Sequence, residues 1–449
     1  MTQKTKKIGL NRQPAIKKEV SVRDPIHDFI RLDRFPFISE IISTAEFQRL
    51  RHLTQLGISP LVYPSANHTR FSHSLGTMHV MERILEHFER VGDISKNNSE
   101  DMFKTGMAAA LLHDIGHGPL SHSLEKFFGF DHEKVSAEII SRPPISQILD
   151  RASISPETIV EVINHTISGP YTLISQLVSS ELDADRLDYL SRDSYFAGVG
   201  FGTVDLERII SMLRVFDGTG PLKNHAITLH KGKYALEDYV VGRHLMYQAV
   251  YFHKATRGAE KLIVSALQRA VDIKKPGLMP HELQFLEDGE ECQADQILAM
   301  DDHFLYSMLA RWQKSGDHVL SDVCNRLMNR NLLKSIDLTD DLFHAYHDGV
   351  GKKFLKLAQH HEIDAQYLCP IDTWSETPYK PYLVKLAEDR PSVITSIFVK
   401  STDGTPVEIS QLPDADVIRA LTAKKYFDRL YMPAEIKEEA EALFKIRQE

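Results

Sequence analysis

The run Met107-Ala108-Ala109-Ala110-Leu111-Leu112 ends on His113-Asp114, and Ile115-Gly116-His117-Gly118-Pro119 follows directly. Small and apolar residues in unbroken succession read as a helix buried on all sides. An imidazole and a carboxylate at the end of such a helix are costly to desolvate unless something compensates them, and a divalent metal does so most economically. The chain is thereby constrained to a helical core with a metal-binding floor, and metal-assisted hydrolysis is the first chemistry it suggests.

The helical signal continues on both sides. From about Thr44 to Ile273 apolar residues recur at spacings of three and four, as in Leu75, Met78, Met81, Leu85 and Phe88, which marks amphipathic helices on a shared core. Ser155-Pro156-Glu157 puts a capping hydroxyl before a first-turn proline, with Ile159, Val162 and Ile163 as the buried stripe. Residues 274–291 carry Pro276, Gly277, Pro280 and an acidic run, Glu287 to Glu291, and predict a break between lobes. Further on the period changes: Ser392 to Val399 and Pro406 to Ile409 are β-rich runs flanking Asp403-Gly404, a hairpin signal, and Tyr382 to Leu386 offers one more strand. The expectation is a mainly α chain with a smaller C-terminal α+β portion: a flexible basic segment over 1–21, a helical catalytic core over 22–273 and a C-terminal lobe over 274–449.

A net charge of −9 argues against a surface built to grip nucleic acid or an anionic bilayer. The basic segment from Met1 to Lys18 lacks the apolar stretch of a signal peptide, and no run of about 18 apolar residues occurs, so a cytoplasmic chain without a membrane span is expected. Three widely spaced cysteines, Cys292, Cys324 and Cys369, form no CxxC pair. Any metal must therefore be held by histidine and carboxylate.

One histidine on an apolar helix is more often a hydrogen-bonded core residue than a ligand. The grouping of His68, His73, His113, Asp114, His117, His122 and His132, followed by Asp183, Asp185 and Asp188 in one predicted helix, shifts that balance. On that helix Asp185, Asp188, Tyr189 and Arg192 share a face, so one carboxylate of this face should reach the metal.

Four segments in order, Arg70 to Gly76, His113 to His122, His132-Glu133 and Asp183 to Tyr189, resemble the HD-domain deoxynucleoside triphosphate triphosphohydrolases. The likeness runs from about Val22 to Lys254. It implies an HD-domain helical core with His73, His113, Asp114 and Asp185 as ligands of a divalent metal, a hard O/N set suited to manganese, magnesium, iron or zinc. It places His117 near the scissile phosphate with Glu125, which stands where the family often has aspartate, adds His132 to the cluster, and sets His122 near the leaving oxygen. Arg70, Arg186, Arg243 and Lys254 become the phosphate-side cations, with Arg186 where the family has lysine. Tyr251 lies against the deoxyribose, Tyr189 is a second sugar-side aromatic, and Asp193 and Gln55 hold the 3'-hydroxyl. With Leu56, Tyr251 would leave no room for a 2'-hydroxyl. Arg243, Tyr247, Tyr251 and Lys254 recur at helical spacing, which reads as one helix face carrying two cations and two phenols.

Phe47 to Arg51 resembles the segment by which regulated members bind an activating nucleotide, dGTP or GTP, between subunits of a homotetramer. Gln48 and Arg51 match, whereas Ser43 replaces the guanine-reading aspartate; a solvated surface helix is the equal alternative. The activity so implied is hydrolysis of a dNTP to deoxynucleoside and inorganic triphosphate. The rivals are an HD phosphohydrolase of a monophosphate or signalling nucleotide, and a non-catalytic nucleotide-binding scaffold.

Overall fold

In the computed structural model, residues 20–97, 99–120, 122–381 and 393–445 are described, and the side chains of His122 and Ser123 lie outside that description. The Leu75 to Phe88 stripe is buried along α1, Arg70–Val91, which stops where Gly92 takes a left-handed φ of 84°. Against it packs α2, Ser99–Leu112, whose small residues let the two backbones approach: a Cβ on Gly106 would press on Leu85 and Met81. Two short helices, α3 (His122–Phe128) and α4 (His132–Ile140), follow the His113 to Leu120 loop. Gly116 seats that loop on α4, because a side chain there would collide with the His132 carbonyl and the Ser136 amide. The Ser155 cap and Pro156 open α5, Pro156–Ile163, with Ile159, Val162 and Ile163 buried as the spacing predicted.

Asp183 caps α6, Ala184–Ala197, by accepting the Arg186 amide proton at 2.6 Å. Gly76 admits α6 against α1, since a Cβ would strike Asp188 and Arg192. Next come α7, Lys233–Met246, a π-helical turn over Tyr247–Tyr251, and α8, Lys254–Ile273. The wider turn and the break at Phe252 and His253 overturn the single helix face expected for Arg243, Tyr247, Tyr251 and Lys254: two helices of different phase carry these residues. Met279, Leu283 and Phe285, in the segment read as a break, are buried in the same apolar cluster as the helices before it.

Sheets are small. β1 (Ser21–Asp24) and β2 (Asp28–Arg31) form an antiparallel hairpin. β3 (Leu213–Val215), β4 (Ala226–Leu229), β7 (Phe398–Lys400) and β8 (Pro406–Glu408) form a sheet in the order β3-β4-β7-β8, and its parallel β4-β7 pairing stitches the C-terminal part onto the helical core. β5 (Lys334–Asp337), β9 (Lys425–Met432) and β6 (Ile371–Glu376) form an antiparallel sheet over a second core built on Phe354, Leu430 and Phe444. The Asp403-Gly404 hairpin joins β7 and β8, with Gly404 at φ 91°. Its first strand is shorter than expected, because the residues from Val393 to Ile397 spend their backbone groups elsewhere. The Thr395 carbonyl accepts from the Glu181 amide, and the amides of Ile394 and Ile397 donate to His225 Nε2 and the Tyr379 hydroxyl. The strand expected over Tyr382 to Leu386 lies outside the described residues. Among those described, no helix is long and apolar enough to cross a membrane.

Candidate active site

Helices α1, α2 and α6 bring the expected ligand set to one point. His73 Nε2 lies 3.0 Å from Asp185 Oδ1 and 3.7 Å from Asp114 Oδ2. His113 Nε2 lies 3.6 Å from the same Asp185 oxygen and 3.4 Å from Asp114 Oδ1. The opposite ring nitrogens are committed: His73 Nδ1 bonds to Asp188 Oδ2 at 2.8 Å and His113 Nδ1 donates to the Ala110 carbonyl at 2.9 Å. Both Nε2 atoms are buried without a hydrogen-bond partner. Burial alone would push the His73 pKa down, but Asp185 and Asp188 outweigh it and hold it up to about 10. His113 is likewise raised, Asp114 and Asp185 prevailing over burial. The cluster demands positive charge between its carboxylates. Two orphaned imidazole nitrogens beside two carboxylates fit a divalent cation bound through nitrogen and oxygen, with Asp188 and Ala110 orienting the rings.

Asp188, which the sequence left as an alternative to Asp185 on the same helix face, is instead a hub behind the candidate ligands. It also accepts from both ends of the Arg192 guanidinium at 2.9 and 2.8 Å and bonds to His27 at 2.6 Å; Arg192 continues to Asp24 at 2.8 Å. The i, i+4 spacing of Asp188 and Arg192 was the signal in the sequence for this second role. Asp183, by contrast, is used up as the α6 cap and as partner of Arg186 at 2.6 Å.

Beside the ligands lies a histidine stack. The His117 and His132 rings are 4.0 Å apart and nearly parallel at 10°, His117 Nε2 lies 3.4 Å from Asp114, and His132 Nδ1 is 2.7 Å from Glu125. Glu125 is thus bonded to His132, whose ring stacks on His117. Burial and then the charge of Arg70 push the His117 pKa far down, which leaves it neutral near pH 7, whereas Glu125 raises His132 against the effect of burial. Arg70 itself pairs with Asp114. His122 begins α3, and its side chain lies outside the described atoms.

A cavity of about 480 Å³ opens over the ligands, lined by His113, Asp114, His117, His132 and Asp185 at one side. Gln55, Leu56, Arg70, Arg186, Tyr189, Asp193, Tyr247 and Tyr251, all in the expected substrate-binding set, also line it. A file of rings leads away from the candidate ligands: His73 to Tyr189 at 6.4 Å, Tyr189 to Tyr251 at 6.1 Å, and Tyr251 to Tyr247 at 4.9 Å. The Tyr251 hydroxyl donates to Asp193 at 2.8 Å, and His68 pairs with the same carboxylate at 2.7 Å, away from the candidate ligands.

Two expected phosphate contacts are not brought to the cavity. Arg243 is buried and bound to the Glu181 carboxylate at 2.7 Å and to the Pro378 carbonyl, while Lys254 is exposed in the first turn of α8. Arg257, three residues further, lines the cavity instead and pairs with Asp372 at 2.7 Å and Glu260 at 2.8 Å. The π turn resets the helix phase, and no spacing argument over 243–254 registers that. At the surface, Arg51 donates to Gln48 at 2.8 Å and covers the Phe71 ring at 3.5 Å, while Gln48 donates to the Ile42 carbonyl. Ser43 caps back onto the Ser39 carbonyl at 2.7 Å.

Residues 70–193 match the HD domain model, and residues 204–367 match the HD associated region. YwfO of Bacillus subtilis, an uncharacterized protein, is 33% identical over 448 residues, covering 96% of this chain and 97% of that protein. The human deoxynucleoside triphosphate triphosphohydrolase SAMHD1 is 28% identical over 284 residues, 56% of this chain but only 44% of the human protein. A phosphohydrolase from Bacteroides thetaiotaomicron superposes with a TM-score of 0.75 at 28% identity, covering 92% of this chain and all of that one.

Proposed function

Because this chain belongs to the HD-domain phosphohydrolase family, we propose that it is a metal-dependent dNTP triphosphohydrolase, releasing deoxynucleoside and intact inorganic triphosphate. The observation that supports this reading best is the joining of the His73, His113, Asp114 and Asp185 cluster with the Tyr189, Tyr251 and Asp193 wall in one cavity. A nucleotide placed with its α-phosphorus at the ligand cluster has its sugar against Tyr251, with Gln55 and Asp193 facing the 3'-hydroxyl and Leu56 closing the 2' side.

A divalent ion held by the four ligands supplies charge to polarise the phosphoryl oxygens and acidify water. The chain's own residues do the rest. Water adds to the α-phosphorus, the bond to the 5'-oxygen breaks, and that oxygen takes up a proton, for which the family likeness assigns His122. Neutral His117, braced by His132 and Glu125, is placed to orient the attacking water or receive its proton. Arg70 and Arg186 offset the charge of the phosphate chain.

The expected first inorganic product is triphosphate. Ion-exchange separation of the products from each of the four dNTPs checks this, and deoxynucleoside monophosphate with pyrophosphate would remove the reading. One observation favours a rival with fewer phosphates: the cavity cations Arg70, Arg186 and Arg257 are all ion-paired, and Arg243 and Lys254 stand outside. Turnover of nucleoside monophosphates in the same assay, without turnover of dNTPs, would select it.

The Gln48 and Arg51 surface is proposed as an activating nucleotide site in a homotetramer. A serine at position 43 offers one short hydroxyl in place of a two-oxygen acceptor, so base discrimination at this site should be loose. Arg51→Ala is expected to abolish the response to added dGTP or GTP and to weaken tetramers in sedimentation, with metal content unchanged. Full hyperbolic activity of wild type with every single dNTP and no response to a second nucleotide would return these residues to the solvated helix.

A further inference from the structure

Arg49 is a buried guanidinium, and among its described contacts no carboxylate is bonded to it; backbone carbonyls take that place. Nη2 donates to the carbonyls of Ile115 at 3.0 Å and His117 at 2.7 Å, and Nη1 reaches those of Ile297 and Met300 at 3.4 and 3.3 Å. Burying a guanidinium this way is costly, and its pKa is pushed down to about 10 by that burial. An apolar side chain would fill the space at lower cost, so the charge has another use. Its carbonyl partners identify that use: two belong to the loop that carries His117, one to the Ala294–Leu298 helix and one to the link between it and the Asp302–Trp312 helix.

Asp302 completes the arrangement from the other end. Its buried carboxylate accepts the Leu120 amide at 2.8 Å through one oxygen and the Thr54 amide at 2.8 Å through the other. Leu120 is held at a φ of 53°, a conformation that costs a non-glycine residue energy and persists only where the surroundings enforce it. The loop from Ile115 to Leu120 is therefore gripped at its start by Arg49 and at its end by Asp302. Both grips converge on the helix junction from Ile297 to Asp302, outside the helices that supply the proposed metal ligands.

We propose that Arg49 and Asp302 are positioning residues that fix His117 over the reacting phosphate, and that the helix junction from Ile297 to Asp302 serves as the brace for the catalytic loop. This rests on the reading of His117 as an acid/base or water-orienting group. The metal ligands are held by other contacts, His113 by Ala110 and His73 by Asp188, so the brace acts on the rate and leaves metal loading alone.

The test uses the metal-loaded full chain with dNTP substrate. Arg49→Lys, which keeps the charge but cannot reach carbonyls on both sides, and Asp302→Asn, which turns an amide NH2 toward a backbone N–H, are each expected to lower kcat about 100-fold. KM and metal stoichiometry should stay within about twofold of wild type. In a His117→Ala background the same substitutions should lower kcat no further, because the group they position is gone. Arg49→Lys is expected to retain more activity than Arg49→Met. Additive losses in the His117→Ala background, an unchanged kcat in both single variants, or a loss expressed only in metal content would overturn the proposal. A His117→Ala enzyme with wild-type kcat would instead overturn the role given to His117, and the two failures are thus distinguishable.

Discussion

Asp185→Ala is expected to lose the metal and all measurable turnover. Asp185 Oδ1 lies close to the Nε2 atoms of both His73 and His113, at 3.0 and 3.6 Å, so its removal takes one of the four proposed ligands and opens the space between the rest. Substituting a residue that merely orients a ligand costs about 10–100-fold in metal affinity, and loss of the ligand itself should exceed that. Metal analysis of the purified variant beside its rate decides the matter. Stoichiometric metal with near-normal turnover would overturn the assignment of Asp185 as a ligand; neither Asp183, which caps α6, nor Asp188, which is bonded to His27, His73 and Arg192, is placed to take its role without rearrangement. A pH dependence accompanies this. In the metal-free chain Asp185 and Asp188 outweigh burial to hold the His73 pKa up to about 10, against about 6.5 for a free imidazole. Metal must displace that proton, so metal affinity of the wild-type apoprotein should rise with pH from about 6.5 toward 10. With Asp185 removed, one of the two carboxylates raising that pKa is gone, and any residual affinity should level off at lower pH.

The grouping of the candidate ligands was legible because its chemistry is extreme: a carboxylate beside imidazoles at the end of an all-apolar helix has few physical explanations. Periodicity alone left Asp185 and Asp188 as alternatives on one helix face. The cap at Asp183 decides between them, since it starts α6 so that Asp185 falls in the first turn, toward the ligands, and Asp188 one turn deeper, behind His73. The short strands were mostly illegible. β3 and β4 have three and four residues within a helical region, too few for a period of two to register, and β4 pairs with β7 across some 170 residues of chain. The role of Arg49 was hidden for a related reason. Its partners are carbonyls 66 and 248 positions away, which every residue possesses and no motif marks. Lys254 and Arg257 show the opposite failure, in which a regular spacing was visible but the π turn at Tyr247–Tyr251 made it irrelevant.

Asp188→Ala should be the most destabilising single change near the site. Asp188 is fully buried and bonded to His27, His73 and Arg192, so alanine leaves two imidazoles and half of a buried guanidinium facing a void. Breaking a buried ion pair by removing one partner costs about 3–5 kcal/mol, chiefly because the remaining charge cannot be solvated. Asp24 still holds the other end of Arg192 at 2.8 Å, which places the expectation toward the lower end of that range. Burial pushes the Asp188 pKa up, but the charge and bonds of Arg192, with those of His27 and His73, outweigh it and hold it well below the carboxylate range. A depressed folded pKa gives stability that is present above the unfolded value and lost as pH falls through the folded one. The gap between wild type and Asp188→Ala should therefore be widest from about pH 4 to 6.5: it closes below about pH 4, where the unfolded carboxyl protonates, and narrows above about pH 6.5, where the raised His73 pKa that Asp188 helps sustain adds progressively less stability. Urea melts of the metal-free proteins at several pH values measure it. A second effect separates packing from chemistry: Asp188→Asn preserves volume but gives up the charge that orients His73, and it should weaken metal binding by about 10–100-fold. A metal-free stability loss below about 1 kcal/mol for the alanine variant, together with wild-type metal affinity for the asparagine variant, would show that the hub behind His73 carries neither load.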